Sequence, residues 1–248
     1  NIIDIWDNGE KIGSTTVDPD GNWSWTPDEP LSEGDHSIST TETDKAGNTS
    51  KPSPDLNITV DTTPPVTPGT PGVTDDVGSK TGGVKDGEAT DDTQPELSGK
   101  GEPGNTIDIW DNGEKIGSTT VDPDGNWSWT PETPLTDGDH NISTTETDPA
   151  GNTSEPSPGI NIVVDTTPPV GSTTPPTVTD NVGSKTGEVK DGETTDDTQP
   201  ELSGKGDPGN TIDIWDNGEK IGSTTVDPDG NWSWTPETPL TDGDHNIS

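Results

Sequence analysis

Residues 106–130 read TIDIWDNGEKIGSTTVDPDGNWSWT, and the alternation in this stretch decides the fold. Ile107 and Ile109 flank Asp108, and Trp127 and Trp129 flank Ser128 in the same way. A spacing of two is the period of a strand, because successive side chains of extended backbone point to opposite sides of a sheet. Asn112-Gly113, set between two such runs, is the strongest short hairpin signal, and Asp122-Pro123-Asp124-Gly125-Asn126 supplies a second turn. No stretch of the chain has helical periodicity of useful length.

The same passage occurs three times. Pro103 to Ser143 returns unchanged as Pro208 to Ser248, and Ile3-Asp4-Ile5-Trp6 is matched by Ile107-Asp108-Ile109-Trp110. A period of about 105 residues is too long for a solenoid unit and suits an autonomous domain with its own core. Copies meet after Asp61-Thr62-Thr63-Pro64-Pro65 and Asp165-Thr166-Thr167-Pro168-Pro169, where paired prolines cannot join a ladder and stiffen the chain. The expected domains are a partial copy at 1–65, a complete copy at 66–169 and a second partial copy at 170–248, cut from a longer parent chain. In the complete copy the pattern predicts about seven strands: Val73–Val77, Glu96–Lys100, Thr106–Asp111, Lys115–Val121, Asn126–Thr130, His140–Asp148 and Ile160–Asp165. Short strands punctuated by Gly, Pro, Asp and Asn predict an all-β sandwich, repeated end to end.

Composition sets the limits. The chain of 248 residues carries 49 Asp and Glu against 11 lysines and no arginine, for a formal net charge of -38. Such a polyanion repels nucleic acid and anionic lipid, so the basic-patch logic of nucleic-acid binding fails at its first step. No apolar run approaches the length of a membrane span. Cysteine and methionine are absent, which removes disulfides, thiolate metal sites and cysteine nucleophiles and suits an exposed extracellular life. Only 19% of residues are hydrophobic, a level at which chains often stay disordered. Here the apolar residues recur in fixed places: Leu97, Ile107, Ile109, Trp127, Trp129, Leu135, Ile142, Ile160, Ile162 and Val164 form the expected core of one copy. At about 25 cal/mol per Å2 of buried apolar area so small a set barely balances the entropy of ordering the repeat, and marginal stability without metal is expected.

The acids cluster. Asp75-Asp76, Asp86 and Asp91-Asp92 crowd the start of the complete copy, and Asp148 opens a loop, Pro149-Ala150-Gly151-Asn152, late in it. Hard oxygen ligands in flexible loops are what calcium takes, whereas magnesium keeps its waters. The competing reading is that these are solvated turn acids, since Asp caps and Asx-turns are common. Asp122-Pro123-Asp124-Gly125-Asn126 lacks the flanking helices and the twelfth-position Glu of an EF-hand and reads as a turn. His36, His140 and His245 are one position seen three times, with no second His or Cys nearby for zinc, and read as polar strand residues. No Ser/His/Asp arrangement or phosphate-cradling loop stands out, so no enzyme activity is expected. Alternation from Ile107 and Ile109 puts Trp110 on the outer face, where an exposed ring could make a weak glycan or surface contact.

Taken together, Thr74-Asp75-Asp76-Val77-Gly78, Thr90-Asp91-Asp92-Thr93-Gln94-Pro95, Gly125-Asn126-Trp127-Ser128, Asp137-Gly138-Asp139-His140, Thr147-Asp148-Pro149-Ala150-Gly151-Asn152 and Val164-Asp165-Thr166-Thr167-Pro168-Pro169 form a specific set. It resembles the bacterial immunoglobulin-like repeats of giant adhesins, among them the biofilm-associated and repeats-in-toxin adhesins of Gram-negative bacteria and the extender region of a large ice-binding adhesin. The resemblance spans the whole chain. It implies tandem immunoglobulin-like β-sandwich domains in a secreted fibre at the bacterial cell surface, holding an adhesive tip away from the cell in biofilm formation or attachment. It also implies several calcium ions per repeat, in loops and at junctions between neighbouring repeats of the same chain. The ligands carried over are Asp75, Asp76, Asp91, Asp92, Asp148 and Asp165, with Asp180, Asp196 and Asp197 in the following copy and Asp44 and Asp61 in the preceding one. Two further readings compete: a repeated glycan- or surface-binding module built on Trp110, and a spacer beside a secreted enzyme. The chain departs from the family's usual pattern in having no Phe or Tyr.

Overall fold

Alternating isoleucines and valines fold the chain into strands alone, and the computed structural model describes residues 1–248 as two compact units, Asn1–Thr166 and Thr167–Ser248. In the first unit, β1 (Ile2–Asp7), β2 (Glu10–Thr16), β3 (Gly34–Thr43) and β4 (Leu56–Val60) make one antiparallel sheet in the order β2-β1-β3-β4. Nine strands follow: β5 (Gly72–Asp75), β6 (Gly82–Val84), β7 (Glu88–Thr90), β8 (Glu96–Lys100), β9 (Thr106–Asp111), β10 (Glu114–Thr120), β11 (Asn126–Trp129), β12 (Gly138–Thr147) and β13 (Ile160–Val164). They form two sheets, β10-β9-β12-β13-β7 and β11-β8-β5-β6. The second unit repeats part of this plan with β14 (Thr177–Asp180), β15 (Gly187–Val189), β16 (Glu201–Lys205), β17 (Thr211–Asp216), β18 (Glu219–Thr225) and β19 (Asn231–Trp234), in sheets β15-β14-β16-β19 and β17-β18.

The core of the nine-strand sandwich draws Val73, Leu97 and Trp127 from one sheet and Ile107, Ile109, Ile142, Ile160, Ile162 and Val164 from the other, with Val121 and Leu135 from the connections. Every residue expected inside is there except Trp129, which is half-buried and packs against the cluster from outside. Val73 and Val121 join it. Residues 1–60 supply a single sheet, so Leu56 and Ile58 are exposed where the matching Ile160 and Ile162 are buried. Opposing faces from two sheets are what remove these side chains from water.

Local devices fix the register. Asn112 and Gly113 both have positive φ, 49° and 83°, as a tight type I′ hairpin between β9 and β10 requires. On the sheet, Gly99 lies directly across from Trp127, and a Cβ there would come within 2.7 Å of the indole. Gly117 on β10 is covered in the same way by Trp129 of β11, at 2.2 Å. The glycines therefore give the two tryptophans a flat floor, and Trp129 closes the open side between the sheets. β6 and β7 were absent from the seven expected strands. Each has three residues, too few to show a period, and β7 is fixed by parallel pairing with the distant β13.

Candidate functional site: the acidic corner and the repeat junction

The acids carried over as cation ligands fall at two kinds of place, each recurring from one copy to another. At the first, the end of β5 meets the turn after β7, bringing Asp75, Asp76, Asp91 and Asp92 to one corner. Asp75 and Asp92 are buried, and their oxygens are engaged. Asp75 accepts bonds from the Thr90 hydroxyl (2.5 Å) and the Val77 amide (3.0 Å); Asp92 accepts from the amides of Gln94 (2.8 Å) and Asp76 (3.3 Å). Asp76 and Asp91 are exposed, with the Asp91 carboxylate seated where a side chain at Gly78 would stand. Gly78, at φ 67°, makes room for it. The second unit reproduces the corner. Asp180 accepts from Thr195 (2.5 Å) and Val182 (3.0 Å), Asp197 from Gln199 (2.8 Å) and Asn181 (3.1 Å), and Asp196 lies over Gly183. The Thr195 hydroxyl, seconded by the Val182 amide, holds Asp180 below the usual carboxylate range.

At the second place, Asp148 closes the loop after β12. It accepts from the Asn152 amide (2.9 Å) and carboxamide (2.8 Å). Burial works to raise its pKa, but donation from Asn152, Gly151 and Ala150 outweighs that and holds it low. Asp44 in the first copy is bound identically by Asn48, at 2.8 Å and 2.9 Å, and the Asn48 carboxamide is the main reason its pKa is depressed. Asp61 takes the Thr63 amide (3.1 Å), and the Asp165 amide donates to the Thr90 carbonyl (2.9 Å).

These donors fit a hard cation in kind, being carboxylate oxygens. They do not form a ready cage, because no three acidic or imidazole side chains among the described residues converge on one point. Much of each buried carboxylate is spent on N–H and O–H groups, so the turn-acid reading accounts for the loop geometry of Asp44, Asp75, Asp92 and Asp148. The Asp122 turn has the same character: its carboxylate accepts the amides of Asp124 (2.9 Å) and Asn126 (2.8 Å).

At the junction inside the first unit, the Glu33 carboxylate binds the start of the linker. It accepts the Thr62 amide (3.0 Å), the Thr62 hydroxyl (2.5 Å) and the Thr63 hydroxyl (3.2 Å). Asp137 repeats this on Thr166, whose hydroxyl lies 2.8 Å away. From the following copy, the Asn152 carboxamide donates to the Asp61 carbonyl at 3.0 Å.

Sequence reasoning missed the histidines. His140 is 7% exposed; its Nδ1 lies 2.7 Å from Asp111 Oδ2 and its Nε2 2.7 Å from the Thr136 carbonyl. Both partners are acceptors, an arrangement that favours the doubly protonated, charged ring over either neutral tautomer. Burial alone would lower its pKa, yet the Thr136 and Asp111 bonds and the charges of Asp111 and Asp139 raise it. His36 and His245 repeat the arrangement with Asp7 and Ser32, and with Asp216 and Thr241. The partner carboxylate stands 29 residues away along the chain, which is why no local motif announces it. Trp110 lies on the outer face as expected, but is half-buried and spends its indole N–H on Thr145 (3.1 Å), leaving a reduced surface for a sugar.

The family model of the bacterial Ig-like domain matches residues 2–62, 67–166 and 172–248. Among solved structures, the chain is similar to the fibronectin(III)-like modules of Clostridium thermocellum CbhA, at 19% identity and a TM-score of 0.39 over 66% of this chain and 77% of that one. A Ca2+-stabilized adhesin that helps an Antarctic bacterium bind ice is 26% identical, with a TM-score of 0.37 over 95% of this chain and 56% of the other. A tetra-tandem repeat from the extending region of a large adhesion protein is 24% identical, with a TM-score of 0.32 over 99% of this chain and 61% of that one. The chain thus spans less than two thirds of the two adhesin structures. No curated protein matches it.

Proposed function

Since the chain belongs to the bacterial Ig-like domain family, matched in three successive segments, we propose that it is an extender segment of a secreted bacterial surface adhesin. The observation that carries this reading is near-identical repetition: Pro103 to Ser143 recurs as Pro208 to Ser248, the acidic corner of the second copy is rebuilt in the third, and all three copies set a tryptophan over a glycine, Trp25 on Gly13, Trp129 on Gly117 and Trp234 on Gly222. Serial copies add length, and their equivalence is what a spacer needs. One complete copy at 66–169 is the proposed bead, and its function is reach.

Calcium is proposed as the ion that neutralises the array. The support is electrostatic: a formal charge of -38 on 248 residues, with Asp76 and Asp91 exposed at the rim of the corner and Asp61 and Asp148 flanking the junction. When bound, calcium would supply positive charge to these oxygens, while the chain's own N–H donors keep Asp75 and Asp92 in place. The test is thermal unfolding and small-angle X-ray scattering of the full chain with calcium and with EDTA. Calcium is expected to raise the melting temperature and lengthen the particle. Curves that superimpose in the two conditions would end the metal half of the reading.

A further inference from the structure

The junction between the first two copies is bridged by hydrogen bonds between protein groups. The linker residues Thr62 and Thr63 are tied back to their own copy by one carboxylate, Glu33, which receives the Thr62 amide and both threonine hydroxyls. That ties down the chain immediately after Asp61. The loop carrying Glu33 is pinned in turn, because His36 bonds the Ser32 carbonyl (2.8 Å) and Asp7 on β1 (2.5 Å). On the other side, the Asn152 carboxamide is aimed by Asp148 at 2.8 Å, and the same nitrogen reaches the Asp61 carbonyl at 3.0 Å. Pro64 and Pro65 then leave little freedom to the backbone between these attachments and the body of the next copy.

We propose that consecutive repeats interlock directly, the carboxylate at the loop before β3 clasping the linker of its own copy and the Asp148–Asn152 turn of the next copy docking on the Asp61 carbonyl. The docking partner of this turn is therefore the end of the preceding copy of the same repeat. The parts recur. Asp137 clasps Thr166 as Glu33 clasps Thr62, and Asp44–Asn48 is the same preorganised turn as Asp148–Asn152. The turn keeps one face of its carboxamide for its own Asp and offers the other outward, so the surface is built before its partner arrives. The interlock rests on the extender reading and deepens it: part of the stiffness of the array comes from hydrogen bonds between copies, with no ion taking part.

Pulsed electron resonance on the full chain tests this, since the absence of cysteine makes introduced labels unique. Labels at Glu10→Cys and Glu114→Cys occupy exposed hairpin positions, one in each of the first two copies. In EDTA the parent chain is expected to give a narrow distance distribution. Glu33→Ala and Asn152→Ala are each expected to broaden it about twofold, toward the free relative motion usual for domains joined by a small polar contact. The two changes lie on opposite sides of the junction, so loss of the fold in one, seen by tryptophan fluorescence, leaves the other to decide. A parent distribution in EDTA already as broad as the variants, or variants as narrow as the parent, overturns the interlock. Calcium separates the two ideas: breadth in EDTA that narrows with the ion removes the interlock and keeps the metal-stiffened extender, whereas breadth in both conditions removes both.

Discussion

His140 is the residue whose environment differs most from what its neighbours in sequence suggest. Its two ring nitrogens face Asp111 and the Thr136 carbonyl, two acceptors, so a neutral ring would set a lone pair against one of them. Folding therefore raises its pKa. A raised folded value means that the stabilisation is complete below the unfolded value of about 6.5 and is lost as pH climbs through the folded one. Melting temperature should fall as pH rises above about 6.5, and His140→Gln, which cannot satisfy both acceptors with charged donors, should flatten that slope while lowering stability at pH 6. A pH series of melts on both proteins checks it; parallel slopes would reject the imidazolium. Little of this was legible beforehand, because one partner is a backbone carbonyl and the other lies on a different strand. The acids were half legible. Their pairing in sequence announced the corner, but nothing local told Asp75 and Asp92, buried and bonded, from Asp76 and Asp91, exposed at the rim.

Among the elements, the β9–β10 hairpin and β11 were the easiest to foresee, since alternation and turn chemistry agree there. Two glycines in this region separate two kinds of cost. At Gly113, φ is 83° and nothing lies within 4 Å of an added Cβ, so Gly113→Ala carries backbone strain only, about 1–2 kcal/mol. Gly117 has ordinary φ but an indole 2.2 Å away, so Gly117→Ala must displace Trp129 and should cost about 1–3 kcal/mol through overpacking. Urea unfolding followed by tryptophan fluorescence distinguishes them: only Gly117→Ala should shift the native emission, because only it moves a ring. Native spectra that match would show that the floor beneath Trp129 is not tight. β6 and β7 escaped notice for the opposite reason. Three residues containing glycines or a lone alanine carry no period, and their place comes from partners elsewhere, β5 for one and β13 for the other.

At the scale of the molecule, charge is the dominant feature. Like charges spread over so small an apolar core repel at every distance within a Debye length, which shrinks from about 30 Å at 0.01 M salt to about 3 Å at 1 M. Sodium chloride should therefore raise the melting temperature steadily through that range, with no saturation at low concentration. Calcium acting at the corners should instead saturate at millimolar levels, and matched titrations tell screening from binding. A melting temperature indifferent to sodium chloride would mean that the carboxylates are already neutralised locally by the N–H groups around them.

The parallel pairing of β7 with β13 joins residues 88–90 to 162–164, the two ends of one copy. A chain that becomes free to fold from one end, in either direction, must therefore hold one edge of each sandwich unpaired until almost the whole copy is available. Meanwhile an equivalent strand from the adjoining copy is available to take the vacant place. Leu56-Asn57-Ile58-Thr59-Val60 and Ile160-Asn161-Ile162-Val163-Val164 differ at just two of five positions, too little to discriminate. Fidelity of assembly then depends on closing each copy faster than its neighbour can invade. Forced unfolding of tandem copies should accordingly show a minority of double-length extension events, from sandwiches completed with a borrowed final strand.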